Sequence, residues 1–220
     1  MLNLIFVVVL SYLVGSIPTS IILSKIVKGI DIRLYGSGNA GGSNVFRVMG
    51  WKWGILTILL DAVKGAIAVV VVARLYLDNF PFNNITPFDD FTLIQIICGI
   101  AAVIGHIWTV FAGFRGGKGI ATALGFLITL ITIDMLFALV IFTITVTLSR
   151  YISLGSLTAA VSLPFILVVR ENFFGVEIQG YHTILPFVTG LVLLVIYTHR
   201  KNINRLLKGS ENKISLFKKK

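Results

Sequence analysis

The amino-acid sequence predicts an all-α membrane protein, a polytopic bundle of seven membrane-spanning helices. Of its 220 residues, 56% are hydrophobic, well above the roughly 45–50% that is typical of a soluble domain. Apolar segments long enough to cross a hydrocarbon core of about 30 Å recur along the chain. The net charge of +10 falls mainly in the short stretches that flank these segments. Membrane topology explains this distribution better than nucleic-acid binding does.

Each predicted span has its own features. The first has no basic start and no small-residue cleavage site, so we expect it to be retained, with Gly15 and Pro18 as a kink or packing point. The second carries Asp61 and Lys64 one helical turn apart, where the two charges can neutralise each other. The fourth and fifth share 120–149, which is long for one span and short for two, so we predict a turn near Asp134. The predicted spans are 2–27, 53–76, 91–111, two within 120–149, 153–169 and 181–198.

The charge distribution decides the predicted orientation. With seven spans, all basic residues except Lys64, Arg74 and Arg170 fall on one side, and most acidic residues fall on the other. The positive-inside rule then puts the N-terminus outside and the C-terminus in the cytoplasm. A single helix over 120–149 would mix the charges. Residues 1–220 are predicted to form one membrane domain, whose basic tail contacts anionic lipid head groups.

The first stretch with chemical potential is GSGNAGGSNVFR at 36–47, which is too polar to cross a bilayer. Its glycines permit αL turns whose N–H groups form anion-binding nests, and its arginine is a planar cation suited to phosphate. We predict a phosphate-binding loop, with a flexible linker as the plain alternative. The residues expected to act on the substrate are Gly36, Ser37, Gly38, Asn39, Gly41, Asn44 and Arg47.

A second stretch, GFRGGKGIAT at 113–122, again joins glycines to cations. A phosphate bound there would meet a lysine, backbone N–H donors and a helix N-terminus. It is not a Walker loop, because the GxxxxGK[ST] spacing is absent and Ile120 stands at the hydroxyl position. An ordinary basic loop on the cytoplasmic side is the alternative. The predicted contacts are Gly116, Gly117, Lys118 and Gly119.

The third stretch is HRKNINRLLKGSE at 199–211, where the last span leaves the membrane. On a continuing helix His199 and Asn202 share one face, and neutral imidazole is a natural proton acceptor. Ser153 opens the sixth span and either faces the same site or packs between helices. His106, in the last turns of the third span, is more simply a packing residue. No Cys/His cluster suggests a metal site.

Taken together, these motifs resemble those of the bacterial acyl-phosphate:glycerol-3-phosphate acyltransferase family. The resemblance runs through GSGNAGGSNVFR at 36–47, DAVKG at 61–65, GHIWTVFAGFRGGKGIAT at 105–122 and HRKNINRLLKGSE at 199–211. It covers nearly the whole chain. Two prolines usual in the family are absent, since Ala40 follows the first-loop asparagine and no proline lies near Thr109.

The resemblance implies a seven-span acyltransferase of the bacterial cytoplasmic (inner) membrane, with its active site facing the cytoplasm. The implied reaction moves a fatty acyl group from acyl phosphate to the 1-hydroxyl of glycerol 3-phosphate, giving lysophosphatidic acid and phosphate. This is the first step of phospholipid synthesis. Because the mixed anhydride is already activated, positioning and charge stabilisation suffice, and neither metal nor cofactor is expected. The enzyme that forms acyl phosphate is a further expected partner.

The predicted division of roles follows from this reaction. Ser37 and Arg47 hold the acyl phosphate, and Lys118 with its glycines holds glycerol 3-phosphate. His199 and Asn202 orient the attacking hydroxyl, with His199 or the leaving phosphate as the proton acceptor. A His-x4-Asp mechanism is excluded, because none of the three histidines has aspartate five residues later. A transporter of a phosphorylated metabolite and a membrane scaffold are the alternatives, but no internal repeat favours the transporter.

Overall fold

The computed structural model describes residues 2–76, 83–85, 90–178 and 180–214, and within these ranges it is all-helical. Asp78 and Asp89, which the topology prediction places outside the cell, and the terminal lysines 218–220 lie outside the described residues. The helices are α1 (Leu2–Ser16), α2 (Thr19–Lys28), α3 (Gly42–Met49), α4 (Trp51–Val70), α5 (Asp90–Ile107), α6 (Ile120–Ile128), α7 (Thr132–Ser149), α8 (Ile152–Asn172) and α9 (Tyr181–Leu207).

Within the described residues, six helical segments are long and apolar enough to cross a membrane. They correspond to the first, second, third, fifth, sixth and seventh predicted spans. Their bounds are Leu2–Lys28, Trp51–Leu75, Asp90–Ala112, Thr132–Ser149, Ile152–Asn172 and Tyr181–Leu207. The fourth predicted span is therefore the one that this criterion does not reproduce.

The stretch 120–149 divides into two unequal helices. The nine-residue α6 is about 14 Å long at 1.5 Å per residue, which is too short to cross the hydrocarbon core by itself. The 18-residue α7 is long enough. The break falls at 129–131, slightly before the predicted turn, and Asp134 lies in the first turn of α7, where it pairs with Arg170 at 2.6 Å. The predicted division into two helices is thus confirmed, with a shorter first helix than expected.

The first apolar segment is broken at Pro18, as predicted. The proline ring removes an N–H donor, so α1 ends at Ser16 and α2 begins at Thr19. The end of α1 is fastened to α5, because the Ser16 hydroxyl donates to the carbonyl oxygen of Gly105 at 3.3 Å. The Thr109 hydroxyl in turn donates to the carbonyl oxygen of Ser16. These bonds fix the position of the break.

The chain forms two compact units, residues 1–130 and 131–220. In the first unit α1 packs on α5 and α4 packs on α6. Small residues allow these close approaches, since a Cβ atom at Gly125 would lie 1.8 Å from the carbonyl oxygen of Ala62. In the second unit α8 packs on both α7 and α9. One domain over 1–220 stays a prediction.

Candidate functional site

The loop of the first glycine-rich segment, 36–47, is held in shape by Asn44. Its side-chain amide donates to the carbonyl oxygens of Ile32 at 3.0 Å and Tyr35 at 2.9 Å, and its oxygen accepts from the Ser37 N–H at 2.8 Å. Gly36 has a φ of +61°, and a Cβ atom there would lie 2.4 Å from Asn44 Oδ1. The loop can therefore close around Asn44 only because position 36 has no side chain. Asn44 is 1% exposed, so its observed role is to shape the loop.

The segment 36–47 is a loop only as far as Gly41, because α3 begins at Gly42. The prediction of a loop over the whole segment is therefore wrong for 42–47, which are helical. The helix forms because Val45, Val48 and Met49 recur at helical spacing and pack in a small apolar cluster around Ile32. The half-buried Arg47 consequently lies in the last turn of α3.

A cation outside the predicted set ties the first glycine segment to the second. Arg33 forms a salt bridge with Asp31, with Nη2 at 2.7 Å from Oδ2. Hydrogen bonds from the guanidinium hold the pKa of the Asp31 carboxyl below its usual value. Arg33 Nη1 also donates to the carbonyl oxygen of Ala112 at 2.9 Å. The chain before Gly36 is thereby fixed to the chain before Gly113.

The second glycine-rich segment, 113–122, folds back against the C-terminal end of α5. The Gly116 N–H donates to the carbonyl oxygen of Ile107 at 3.1 Å, and the Gly117 N–H donates to that of His106 at 3.0 Å. Gly119 precedes α6 with a φ of +83°, a conformation that favours glycine. Lys118 is half-buried and stands between Gly117 and Gly119. Lys118, the glycines on either side of it and the N-terminus of α6 therefore follow one another as predicted.

Ala40 of the first segment and Gly117 of the second meet at a small cavity in the first unit. Its volume is about 10 Å³, room for roughly one water molecule. A Cβ atom at position 117 would lie 2.0 Å from His106 Nε2 and 2.8 Å from the carbonyl oxygen of Ala40. The two predicted phosphate loops are thus brought together. The cavity is lined by Ile17, Pro18, Thr19, Ser20, Ala40, Lys64, His106, Thr109, Gly116 and Gly117.

Three buried ionisable side chains stand beside this cavity. Lys64 Nζ lies 2.9 Å from Asp61 Oδ1, which confirms the predicted pair. The Thr19 hydroxyl donates to the same carboxylate oxygen, and His106 Nδ1 lies 3.5 Å from it. His106 is therefore part of a charged cluster, and the sequence-based interpretation as a simple packing residue was incomplete.

The second unit contains the remaining predicted site residues, Ser153, His199 and Asn202. His199 and Asn202 both lie on α9, which continues past the predicted end of the span, and each is 2% exposed. His199 Nδ1 lies 2.9 Å from the carbonyl oxygen of Val195. Because a carbonyl oxygen only accepts, Nδ1 carries the proton, which makes Nε2 the basic nitrogen.

Glu211 joins two of these predicted residues. Its carboxylate accepts hydrogen bonds from Ser153 Oγ at 3.0 Å, Asn202 Nδ2 at 2.8 Å and Arg205 Nε at 2.7 Å. Burial opposes ionisation of Glu211, but these bonds prevail and lower its pKa. Glu211 is not among the site residues predicted from the sequence. Its signal was available, since it is the only acidic residue after His199.

Among the described residues, no group of three or more His, Cys, Asp or Glu side chains is arranged to hold a metal ion. The side chains present can do three things. They can bind anionic oxygens through Arg47, Lys118 and the glycine backbone. They can orient a hydroxyl group through Asn202, and they can accept a proton at His199.

Comparison with known proteins identifies the family. Residues 5–209 match the family model described as Glycerol-3-phosphate acyltransferase. A relative of that name from Chlorobaculum tepidum is 45% identical over 234 residues, covering 100% of both chains. Another, from Chlorobium limicola, is 42% identical over 235 residues, covering 99% of both.

Two solved structures are also similar. Both are of PlsY (YgiH), described as an integral membrane glycerol 3-phosphate acyltransferase. The glycerol 3-phosphate form has a TM-score of 0.78 and 35% identity, covering 96% of both chains. The lysophosphatidic acid form has a TM-score of 0.76 and 34% identity, covering 96% of this chain and 95% of the other. The resemblance carried by the sequence motifs is therefore confirmed, and the chain belongs to the glycerol-3-phosphate acyltransferase family of membrane enzymes.

Proposed function

We propose that this protein transfers a fatty acyl group from acyl phosphate to the 1-hydroxyl of glycerol 3-phosphate. The products are lysophosphatidic acid and inorganic phosphate. The observation that carries the proposal is the full-length similarity to PlsY, whose two solved structures are described as its glycerol 3-phosphate form and its lysophosphatidic acid form. These names correspond to the acceptor and the product of the reaction.

Acyl phosphate is the donor that best suits the side chains present. Both substrates then carry phosphate, which requires two anion sites. The first unit contains two glycine-rich segments, 36–47 with Arg47 and 113–122 with Lys118. In the reaction the hydroxyl oxygen forms a bond to the acyl carbon, and the bond from that carbon to the phosphate oxygen breaks. The electron pair leaves with the phosphate, a good leaving group, so no covalent enzyme intermediate is needed.

We assign the acyl phosphate to the first segment. The Gly38 and Gly41 N–H groups are bonded within the loop, so we assign Gly36, Gly38 and Gly41 to letting the backbone come close to the phosphate. The side chains of Asn39, Ser37 and Arg47 supply an amide, a hydroxyl and a guanidinium. Asn44 holds the loop in shape through its three hydrogen bonds to the loop backbone.

Glycerol 3-phosphate is assigned to the second segment. Lys118 is the point charge for its phosphate, and Gly116, Gly117 and Gly119 allow the backbone to come close to the ligand. The N-terminus of α6, directly after Gly119, adds a favourable dipole for an anion.

His199 and Asn202 are assigned to the attacking hydroxyl. With Nδ1 bonded to Val195, Nε2 of His199 is the nitrogen that can accept the hydroxyl proton. The leaving phosphate is the alternative acceptor. Asn202 orients the hydroxyl, and Ser153 supports it through their shared partner Glu211.

The proposed topology has seven crossing segments in the bacterial cytoplasmic (inner) membrane, with the N-terminus outside and the C-terminus and active site facing the cytoplasm. Six candidate spans support it. We propose α6 as the short fourth crossing, with the bilayer thinned locally around this nine-residue helix. Single cysteines at the exposed positions Glu177, Lys52 and Lys208, in a Cys98→Ser background, provide the test. An impermeant thiol reagent applied to intact cells should label only position 177. Labelling at position 52 or 208 instead would reverse the orientation.

The activity itself is tested with purified protein in detergent. Glycerol 3-phosphate is supplied with acyl phosphate, acyl-coenzyme A or acyl-carrier protein, and lysophosphatidic acid and released phosphate are measured. We expect equimolar products from acyl phosphate alone. Turnover with another donor but not with acyl phosphate would refute the donor assignment. Uptake of glycerol 3-phosphate by proteoliposomes without product would instead identify a transporter.

A further inference from the structure

The buried charged cluster of Asp61, Lys64 and His106 is not used by the proposed reaction. The first two side chains belong to a helix that is long and apolar enough to cross a membrane, where an ionised group is costly. Their exposed fractions are 1% and 4%, and they are paired at 2.9 Å. Pairing explains why the charges are tolerated but not why they lie beside the glycine segments.

One side of the cluster holds the break in the first apolar segment. The Lys64 ammonium donates to the carbonyl oxygen of Ile17 at 2.9 Å, and the Thr19 hydroxyl donates to Asp61. These residues flank Pro18, where the helix loses a backbone donor. The cluster therefore fixes α4 against the start of α2.

The other side of the cluster holds the second glycine segment through His106. Its Nδ1 lies 3.5 Å from Asp61 Oδ1. Its Nε2 occupies the position beside Gly117, where a Cβ atom would approach it to 2.0 Å. Its carbonyl oxygen accepts the Gly117 N–H at 3.0 Å. One residue thus lies against the Asp61 and Lys64 pair through one ring nitrogen and against the second glycine segment through the other.

We propose that His106 is a positioning residue that transmits the fixed geometry of the Asp61 and Lys64 pair to Gly117 and so sets the position of Lys118. This inference rests on the proposed function, in which Lys118 binds a substrate phosphate. The segment needs external support, because three of the four residues from 116 to 119 are glycines with no side chain to anchor it. A misplacement of about 1 Å in such a site can lower the rate about 100-fold.

Two conservative variants separate the two contacts of His106. In His106→Asn the amide nitrogen lies near the position of Nδ1, so the contact with Asp61 is kept and that with Gly117 is lost. In His106→Gln the amide reaches towards the position of Nε2, so the reverse holds. The substrate that contacts Lys118 is identified as the one whose KM rises in Lys118→Ala. Each His106 variant loses one contact and should raise the KM of that same substrate about 3–10-fold. The KM of the other substrate should stay within about twofold. Ile104→Ala, at an exposed position on the same helix, is the control.

A double-mutant cycle tests the contact directly. Gly117→Ala introduces a Cβ atom that collides with the imidazole, so it should raise the same KM strongly. In a His106→Ala background the collision with the imidazole is absent, while the Ala40 carbonyl oxygen stays at 2.8 Å from the new Cβ atom. The substitution at 117 should then have a several-fold smaller effect. Equal effects in the two backgrounds would show that the two positions act independently and would overturn the inference.

The outcomes distinguish the inference from the proposed function. If both conservative variants unfold at the wild-type temperature and leave both KM values unchanged, His106 has no positioning role. If the wild-type protein transfers no acyl group, the proposed function fails. Calorimetric binding of glycerol 3-phosphate then still tests His106. The two variants should weaken that binding by the same factor of about 3–10, and unchanged binding would refute the inference.

Discussion

Removing the carboxylate of Glu211 should destabilise the second unit and displace Asn202. The carboxylate accepts hydrogen bonds from Ser153 and Asn202, whose side chains are buried, and from Arg205. Bonds to a charged acceptor are worth about 1.5–3 kcal/mol each. The Arg205 side chain is 30% exposed, so water replaces part of its interaction, and we count mainly the two buried bonds. Glu211→Ala should therefore lower the free energy of unfolding by about 3–6 kcal/mol.

The isosteric variant Glu211→Gln keeps an acceptor oxygen and loses the charge. We therefore expect it to lower the free energy of unfolding by about 1–2 kcal/mol. The assay is thermal unfolding of the purified protein in detergent, followed by intrinsic fluorescence, together with turnover at a temperature where each variant is folded. Turnover should fall because Asn202 loses the partner that fixes its amide. Glu177→Gln, an exposed acid of the same unit, is the matched control and should change neither quantity.

The pH dependence gives a sharper test of Glu211. Because its pKa is lowered in the folded protein, its contribution is complete above the ordinary carboxyl pKa of about 4.3 and is lost as the pH falls through the lowered value. The difference in unfolding temperature between wild type and Glu211→Gln should be constant near neutral pH and shrink below about pH 4. A difference that persists unchanged at pH 3 would refute an ionised role for this carboxylate.

Three further predictions concern the proposed substrate contacts. Lys118→Ala should raise the KM of glycerol 3-phosphate more than it lowers kcat, since a point charge on phosphate binds ground and transition states alike, whereas the exposed neighbour Arg115→Ala should not. A change in the acyl-phosphate KM alone would reverse the assignment of the two segments. His199→Ala should lower kcat about 10²–10⁴-fold if the imidazole takes the proton, and His199→Gln should be equally poor. A glutamine variant that retains most activity would instead assign proton acceptance to the leaving phosphate. Asn44→Ala removes three loop hydrogen bonds and should raise the acyl-phosphate KM about tenfold or more, and unchanged kinetics for both substrates would contradict its role in shaping the loop.

The sequence alone determined the helical membrane class, most span positions, the break at Pro18 and the Asp61 and Lys64 pair. These features depend on interactions local in the chain, namely apolar runs, a missing N–H donor and residues one helical turn apart. The motifs also sufficed to indicate the family, because several of them recur in order along nearly the whole chain. The start of α3 within the first segment was missed, since its glycines and asparagines outweighed a short apolar period.

Only the tertiary structure decided which distant residues meet. Glu211 lies 58 positions from Ser153, and Arg33 lies 79 positions from Ala112, so no spacing rule could pair them. The sequence places His106 in an apolar helix and so predicts a packing residue. Its contacts with Asp61 of α4 and with Gly117 arise only in the folded chain. The physical reason is that hydrogen bonds and ion pairs between remote segments depend on helix packing. That packing is set by close contacts such as the one between Gly125 and Ala62, which leave no periodic signal in the sequence.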